Sequence, residues 1–149
     1  MSGEGSESVS RRKLLDSFAL LSYLNKETGF EKVREALAEA QVSDGSVLMN
    51  EVNVGETYYI LHRQRGVQEA EYFLDTVLVG LPILLVQNDF QDVIDAARIK
   101  AEYPLSFADC FAVATARREN AIILTDDPEF KKIEHLAKIE WLSGRWHSA

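Results

Sequence analysis

SFADCFAVATARRENAIILTDDPEF, residues 106–130, reads as a helix, a tight turn, a buried strand and a second turn. Phe107, Cys110, Phe111, Ala114 and Thr115 recur at helical spacing. A small-residue face of Ala108, Ala112, Ala114 and Ala116 permits close packing on a sheet. Glu119 and Asn120 make the turn, and AIIL at 121–124 is the strand. Asp109 stands in the first turn of the helix and Asp127 just past the strand. A helix folded back on the strand brings the two carboxylates together. Each acid also has a plain reason to be there. Ser106-x-x-Asp109 resembles a capping box with Asp in the Glu place, and Asp127 before Pro128 is a helix-start signal.

Upstream, KLLD at 13–16 is a short apolar run ending in an acid. Phe18, Leu20, Leu21 and Leu24 follow at helical spacing, so the first unit is strand, Asp16, helix; an N-cap role for Asp16 is equally served by this pattern. An amphipathic helix spans 30–40, SDGS at 43–46 is a turn, and 47–49 is a brief strand or a helix lead-in. Residues 50–65 read as a helix closed by Gly66. Its inner face is expected to hold Val52, Tyr59, Ile60 and Arg63, with Glu56 among them; Glu51 lies about 140° away. A carboxylate on an apolar face requires a partner, such as Arg63, or a function, unless it lies at the margin of that face.

Residues 68–79 form a further helix ended by Gly80. LPILLV at 81–86 has the pattern of a strand buried on both faces. A helix over 89–102, with Asp89 as cap, stops at Pro104. KIEWL at 138–142 is expected to be an edge strand. Strands near 13–15, 47–49, 82–86, 121–125 and 138–142 alternate with helices, which predicts an α/β fold with a mostly parallel sheet. One domain spans 13–143. Residues 1–12 are expected to be a disordered tail and 144–149 a second tail.

The 149 residues carry a net charge of −8, with 24 acids against 16 Lys and Arg. Binding of nucleic acid by bulk electrostatics is disfavoured, so metal ions, local basic patches or a basic partner must carry it. No apolar run is long enough for a membrane span. The single Cys110 excludes an internal disulfide and fits a cytoplasmic protein. His62, His135 and His147 lack metal spacing, and no glycine phosphate loop or nucleophile elbow occurs.

Sites in open α/β sheets form beyond the carboxyl ends of the strands. Asp16, Asp109 and Asp127 converge on that edge, and Glu56 faces inward. Carboxylates gathered without basic partners repel one another. Oxygen-only ligands suit Mg²⁺ or Mn²⁺, and such an ion activates water for displacement at phosphorus. The reaction class suggested is phosphodiester hydrolysis.

LLDSFALLSYL, VNVGETYYILHRQRG, PLSFADCFAVATARRENAIILTDDPEF and KIEWL occur in an order and spacing that resembles the PIN-domain ribonucleases, and among them the VapC-type toxins of toxin–antitoxin modules. The resemblance covers residues 13–143. By it Asp16, Glu56, Asp109 and Asp127 match the catalytic and metal-binding acids. Ser106 belongs to the S-x-x-D pattern, and Thr125 matches the hydroxyl residue beside the metal. Asp126 competes with Asp127, and the T-x-D spacing favours Asp127. The resemblance implies a five-stranded parallel sheet of order 3-2-1-4-5, Mg²⁺ or Mn²⁺, and cleavage of single-stranded RNA. It also implies a homodimer and a cognate antitoxin whose basic or aromatic tail enters the groove. Arg63, Arg65 and Lys100, with Arg117, Lys131 and Lys132, are the candidates for RNA contact. A non-catalytic RNA- or protein-binding module and a housekeeping RNA-processing nuclease are the alternatives.

Overall fold

The computed structural model describes residues 11–144. The expected tails therefore lie outside the described residues, apart from Arg11, Arg12 and Gly144. Five strands form one sheet of order β3-β2-β1-β4-β5: β1 (Lys13–Leu15), β2 (Val47–Asn50), β3 (Leu84–Val86), β4 (Ile122–Thr125) and β5 (Ile139–Trp141). All four pairings are parallel, with Leu14 opposite Leu48 and Ile123. Seven α-helices connect the strands among the described residues: α1 (Ser17–Asn25), α2 (Phe30–Val42), α3 (Glu51–Arg65), α4 (Val67–Tyr72), α5 (Leu78–Gly80), α6 (Phe90–Glu102) and α7 (Phe107–Glu119). A π-turn, Phe73–Val77, joins α4 to α5, and a 3₁₀ helix, Pro128–Ile133, follows β4.

Alternation along the strands builds two cores. Leu15, Met49 and Leu124 face Leu20, Val33, Leu37, Leu61 and Phe73. Leu14, Leu48 and Ile123 face Phe111, Val113, Phe130, Ile133 and Trp141. Across β4, Lys13 of the central strand β1 and Glu140 of the edge strand β5 form an ion pair.

Three expectations are corrected. The run 81–86 is not buried on both faces: β3 is an edge strand, with Leu84 51% and Leu85 43% exposed. Its hydrophobicity does not arise from enclosure between layers. The buried face of α3 holds Asn53, Val54, Thr57 and Leu61, whereas Tyr59 and Arg63 are exposed. Glu56 is half-buried at the margin of that face. Two fully buried polar side chains caused the misreading: Asn53 bonds the Ala108 carbonyl (3.2 Å) and Thr57 the Asn53 carbonyl (2.9 Å). In the 68–79 segment, the wider π-turn places Phe73 and Leu78, five residues apart, in the interior and leaves Leu74 exposed.

Candidate active site

The order of the sheet makes β1 and β4 neighbours, and the connections leave them in opposite directions. Their carboxyl ends flank the crevice where open α/β sheets place ligands. Asp16 follows β1 directly and caps α1, accepting from Ala19 N at 2.8 Å. Its other oxygen accepts from Thr125 Oγ1 at 2.5 Å. It is 1% exposed. Burial pushes its pKa well above the usual carboxylate range. The Thr125 and Ala19 bonds oppose that shift, and the nearby charges of Asp109 and Asp127 reinforce it.

Asp109 is 6% exposed on the first turn of α7. Ser106 caps this helix, its hydroxyl accepting from Asp109 N at 3.1 Å. The box is completed elsewhere: in α6 Asp89 and Asp92 exchange both reciprocal bonds (2.9 and 3.0 Å). In α7 only the Ser106 half is formed, so the Asp109 carboxylate is left to the crevice. Burial raises its pKa to about 7. The charges of Asp127 and Glu56 add to this, the Ser106 hydroxyl opposes it, and Glu129 contributes a further rise.

Asp127 caps the 3₁₀ helix by accepting from Glu129 N (2.9 Å), and its own N–H donates to Thr125 Oγ1 (3.0 Å). The Glu56 carboxylate accepts from Ser17 Oγ at 2.6 Å. These acids line a cleft of about 340 Å³ with Ser17, Ser106, Glu129 and an apolar wall of Phe18, Leu21 and Ile60. Asp16 lies beneath it, within electrostatic reach of Asp109 and Asp127. No Lys, Arg or His lines this cleft among the described residues.

Asp126 turns the other way. It is 4% exposed and accepts from Ser143 N (3.2 Å) and Ser143 Oγ (2.7 Å), pinning the chain beyond β5. The structure thus brings Asp16, Glu56, Asp109, Asp127, Thr125 and Ser106 together and leaves Asp126 out of the cleft. Arg63, Arg65 and Lys100 do not line it either. Arg63 stacks over Tyr59, Arg65 bonds Asn25, and Lys100 donates to the Leu105 carbonyl (2.6 Å). Glu129, Ser17 and the apolar wall went unread in the sequence. The signal for Glu129 was its place two residues after Asp127, in the turn of a short helix.

Among the described residues, no group of three or more His, Cys, Asp or Glu is gathered tightly enough to hold a metal ion by itself. Asp16 and Asp127 each give one carboxylate oxygen to a backbone N–H group. The donor chemistry nonetheless fits Mg²⁺ or Mn²⁺. All donors are oxygens, their charges are uncompensated, and Mg²⁺ needs only one or two carboxylates, completing its shell with water and substrate phosphate.

No helix among the described residues is long and apolar enough to cross a membrane. No curated protein matches the sequence significantly. Solved structures share its fold at low identity. The DNA-bound VapBC from Salmonella typhimurium is 15% identical, with a TM-score of 0.66 over 89% of this chain and 99% of that one. The sarcin-ricin loop cleaving toxin VapC20 of Mycobacterium tuberculosis is 16% identical, with a TM-score of 0.60 over 80% and 92%. A toxin–antitoxin complex from Klebsiella pneumoniae is 17% identical, with a TM-score of 0.54 over 81% and 92%. A PIN domain family model matches residues 13–136, the span that holds all four cleft acids and every strand but the last, and the chain therefore belongs to the PIN domain family.

Proposed function

We propose that this protein is a metal-dependent endoribonuclease that hydrolyses RNA phosphodiester bonds, acting as the toxin of a toxin–antitoxin pair. The observation that carries this reading is a cleft of mutually repelling carboxylates with no basic side chain in it. Such an arrangement raises the free energy of the empty site and favours any cation that enters. A bound Mg²⁺ or Mn²⁺ supplies an activated water and neutralises charge on the phosphoryl oxygens.

The chain's own residues set the geometry. Asp16 and Asp109 would hold the ion, and Glu56 and Asp127 would complete its surroundings and orient the attacking water. Thr125 fixes Asp16 and Asp127 at once, and Ser17 fixes Glu56. Phe18, Leu21 and Ile60 form a wall that limits water and suits the faces of bases. Arg63 and Arg65, on the last turn of the helix that bears Glu56, would meet phosphates outside the cleft.

The toxin role is supported by the fold shared with proteins described as toxin–antitoxin complexes. A basic antitoxin segment suits the acidic cleft. Self-association as a homodimer is supported by the exposed Leu84 and Leu85 on an edge strand. The test is cleavage of single-stranded RNA in Mn²⁺ by the wild type and by Asp16→Asn. The variant is expected to lose activity at least 100-fold while keeping its fold. Equal cleavage at matched purity overturns the proposal. A non-catalytic reading draws on the capping roles of Asp16 and Asp127, and it requires that calorimetry find no Mn²⁺ binding at millimolar concentration.

A further inference from the structure

At the opposite end of the sheet from the acids lies a second pocket, of about 290 Å³. It is lined by Arg11, Arg117 and Lys138, over a floor that includes Ala116, Ala121 and Leu136. No carboxylate lines it, in a chain whose net charge is −8. The neighbouring Glu119 is engaged by Arg12 at 2.6 Å. Arg11 is held by the Asn120 side chain (2.7 Å) at the left-handed turn after α7. Arg117 is held by the Leu136 carbonyl (2.9 Å). Neutral partners orient both guanidiniums and leave their charge uncompensated. The ammonium of Lys138, at the mouth of β5, has no hydrogen-bond or ion-pair partner among the described residues.

The other arginines of this region differ. Arg98 and Arg118 pair with Asp95 (3.3 Å) and Asp92 (3.2 Å). The cationic field is therefore concentrated at Arg11, Arg117 and Lys138, and its size and fork geometry suit a phosphate group.

The pocket is one helix length from the acids. Asp109 opens α7 and Asn120 follows its end, about 16 Å apart at 1.5 Å per residue. The segment 128–138 runs along the same side from Asp127 to Lys138 and carries Lys131 and Lys132 on the way. We infer that Arg11, Arg117 and Lys138 bind a backbone phosphate of the RNA several nucleotides from the scissile bond, an inference that rests on the nuclease reading. A strand anchored there and cut at the acids explains how a chain of net charge −8 holds RNA without cations in its cleft. It also makes the substrate a single strand long enough to span both ends.

The test measures binding of 4- and 20-nucleotide single-stranded RNAs by the full chain in EDTA, using fluorescence anisotropy. Lys138→Gln and the double variant with Arg11→Gln are compared with the wild type and with Lys138→Arg. The 20-mer is expected to lose about 10- to 30-fold in affinity at 0.1 M salt in the double variant. The slope of log K against log salt should fall by about 0.7 per cation removed. In EDTA the acidic cleft repels phosphate, so the 4-mer, which can occupy this pocket alone, should lose affinity with the same variants, and Lys138→Arg should bind as the wild type. Unchanged 20-mer binding overturns the inference. So does loss of polyglutamate binding with RNA binding intact, which assigns the pocket to an acidic protein. Cleavage by the wild type in Mn²⁺ is read separately. A binding loss in the double variant without any cleavage by the wild type upholds the phosphate contact and sinks the nuclease reading.

Discussion

The Thr125 hydroxyl donates to Asp16 Oδ2 across 2.5 Å and ties the end of β4 to the end of β1. Thr125 Oγ1 in turn accepts from Asp127 N at 3.0 Å. One buried side chain thereby sets the positions of two acids that would otherwise move apart under their own repulsion.

Thr125→Val keeps the shape and removes both bonds. A buried Asp16 oxygen and the Asp127 N–H lose their partner, and such losses cost about 1–3 kcal/mol. Urea denaturation is expected to show that loss, with RNA cleavage reduced at least tenfold. Thr125→Ser, which keeps the hydroxyl, should retain most of both. A valine variant as stable and active as the wild type would show that the bond does not matter.

Asp126 and Asp127 should separate cleanly. Asp127 faces the cleft, whereas Asp126 holds Ser143. Asp127→Asn is expected to lower activity strongly with little change in stability. Asp126→Asn should lower stability by about 1–2 kcal/mol and leave cleavage at matched folded concentration close to the wild type. Thermal melts and initial rates on both variants decide this.

Asp109 gives the metal-free protein a pH signature. Its pKa is raised from 3.8 to about 7 in the folded state. Between those values the native chain holds a proton that the unfolded chain has released, so stability falls as pH rises from about 4 to about 7. The ceiling for this shift is on the order of 4 kcal/mol. Asp16 is raised too and acts in the same direction. Asp109→Asn should flatten the slope and be more stable than the wild type at pH 8, with near-equal stability at pH 4. Mn²⁺ should raise the melting temperature of the wild type at pH 8 and do so less for the variant.

Gly29 has φ +90° and precedes α2, and a Cβ there would lie 2.8 Å from the Leu142 backbone. Gly29→Ala combines left-handed strain with a clash against the segment pinned by Asp126. It is expected to cost about 2–4 kcal/mol, read as a drop in the urea midpoint. A neutral alanine would mean that Leu142 yields freely.

The sequence by itself determined the alternation of strands and helices, because each strand is a short apolar run and each helix repeats near 3.6 residues. It also determined that Asp16 and Asp127 end their strands, since chain order alone places them there. Where reading stopped was the choice among uses of one residue type. Ser106-x-x-Asp109 and Asp89-x-x-Asp92 look alike as strings, but only the second closes its box: Asp109 faces a crevice, whereas Asp92 bonds back to Asp89 N and pairs with Arg118. Asp126 and Asp127 differ only in direction, and direction is set by Ser143 on one side and the cleft on the other. The inward face of α3 was hidden because Asn53 and Thr57 are buried by hydrogen bonds rather than by hydrophobicity. The cationic pocket joins residues 11, 117 and 138, which only the sheet order β1-β4-β5 brings side by side. Local periodicity writes the elements. Which polar side chains meet, and which stay apart, is decided by long-range packing that no local pattern encodes.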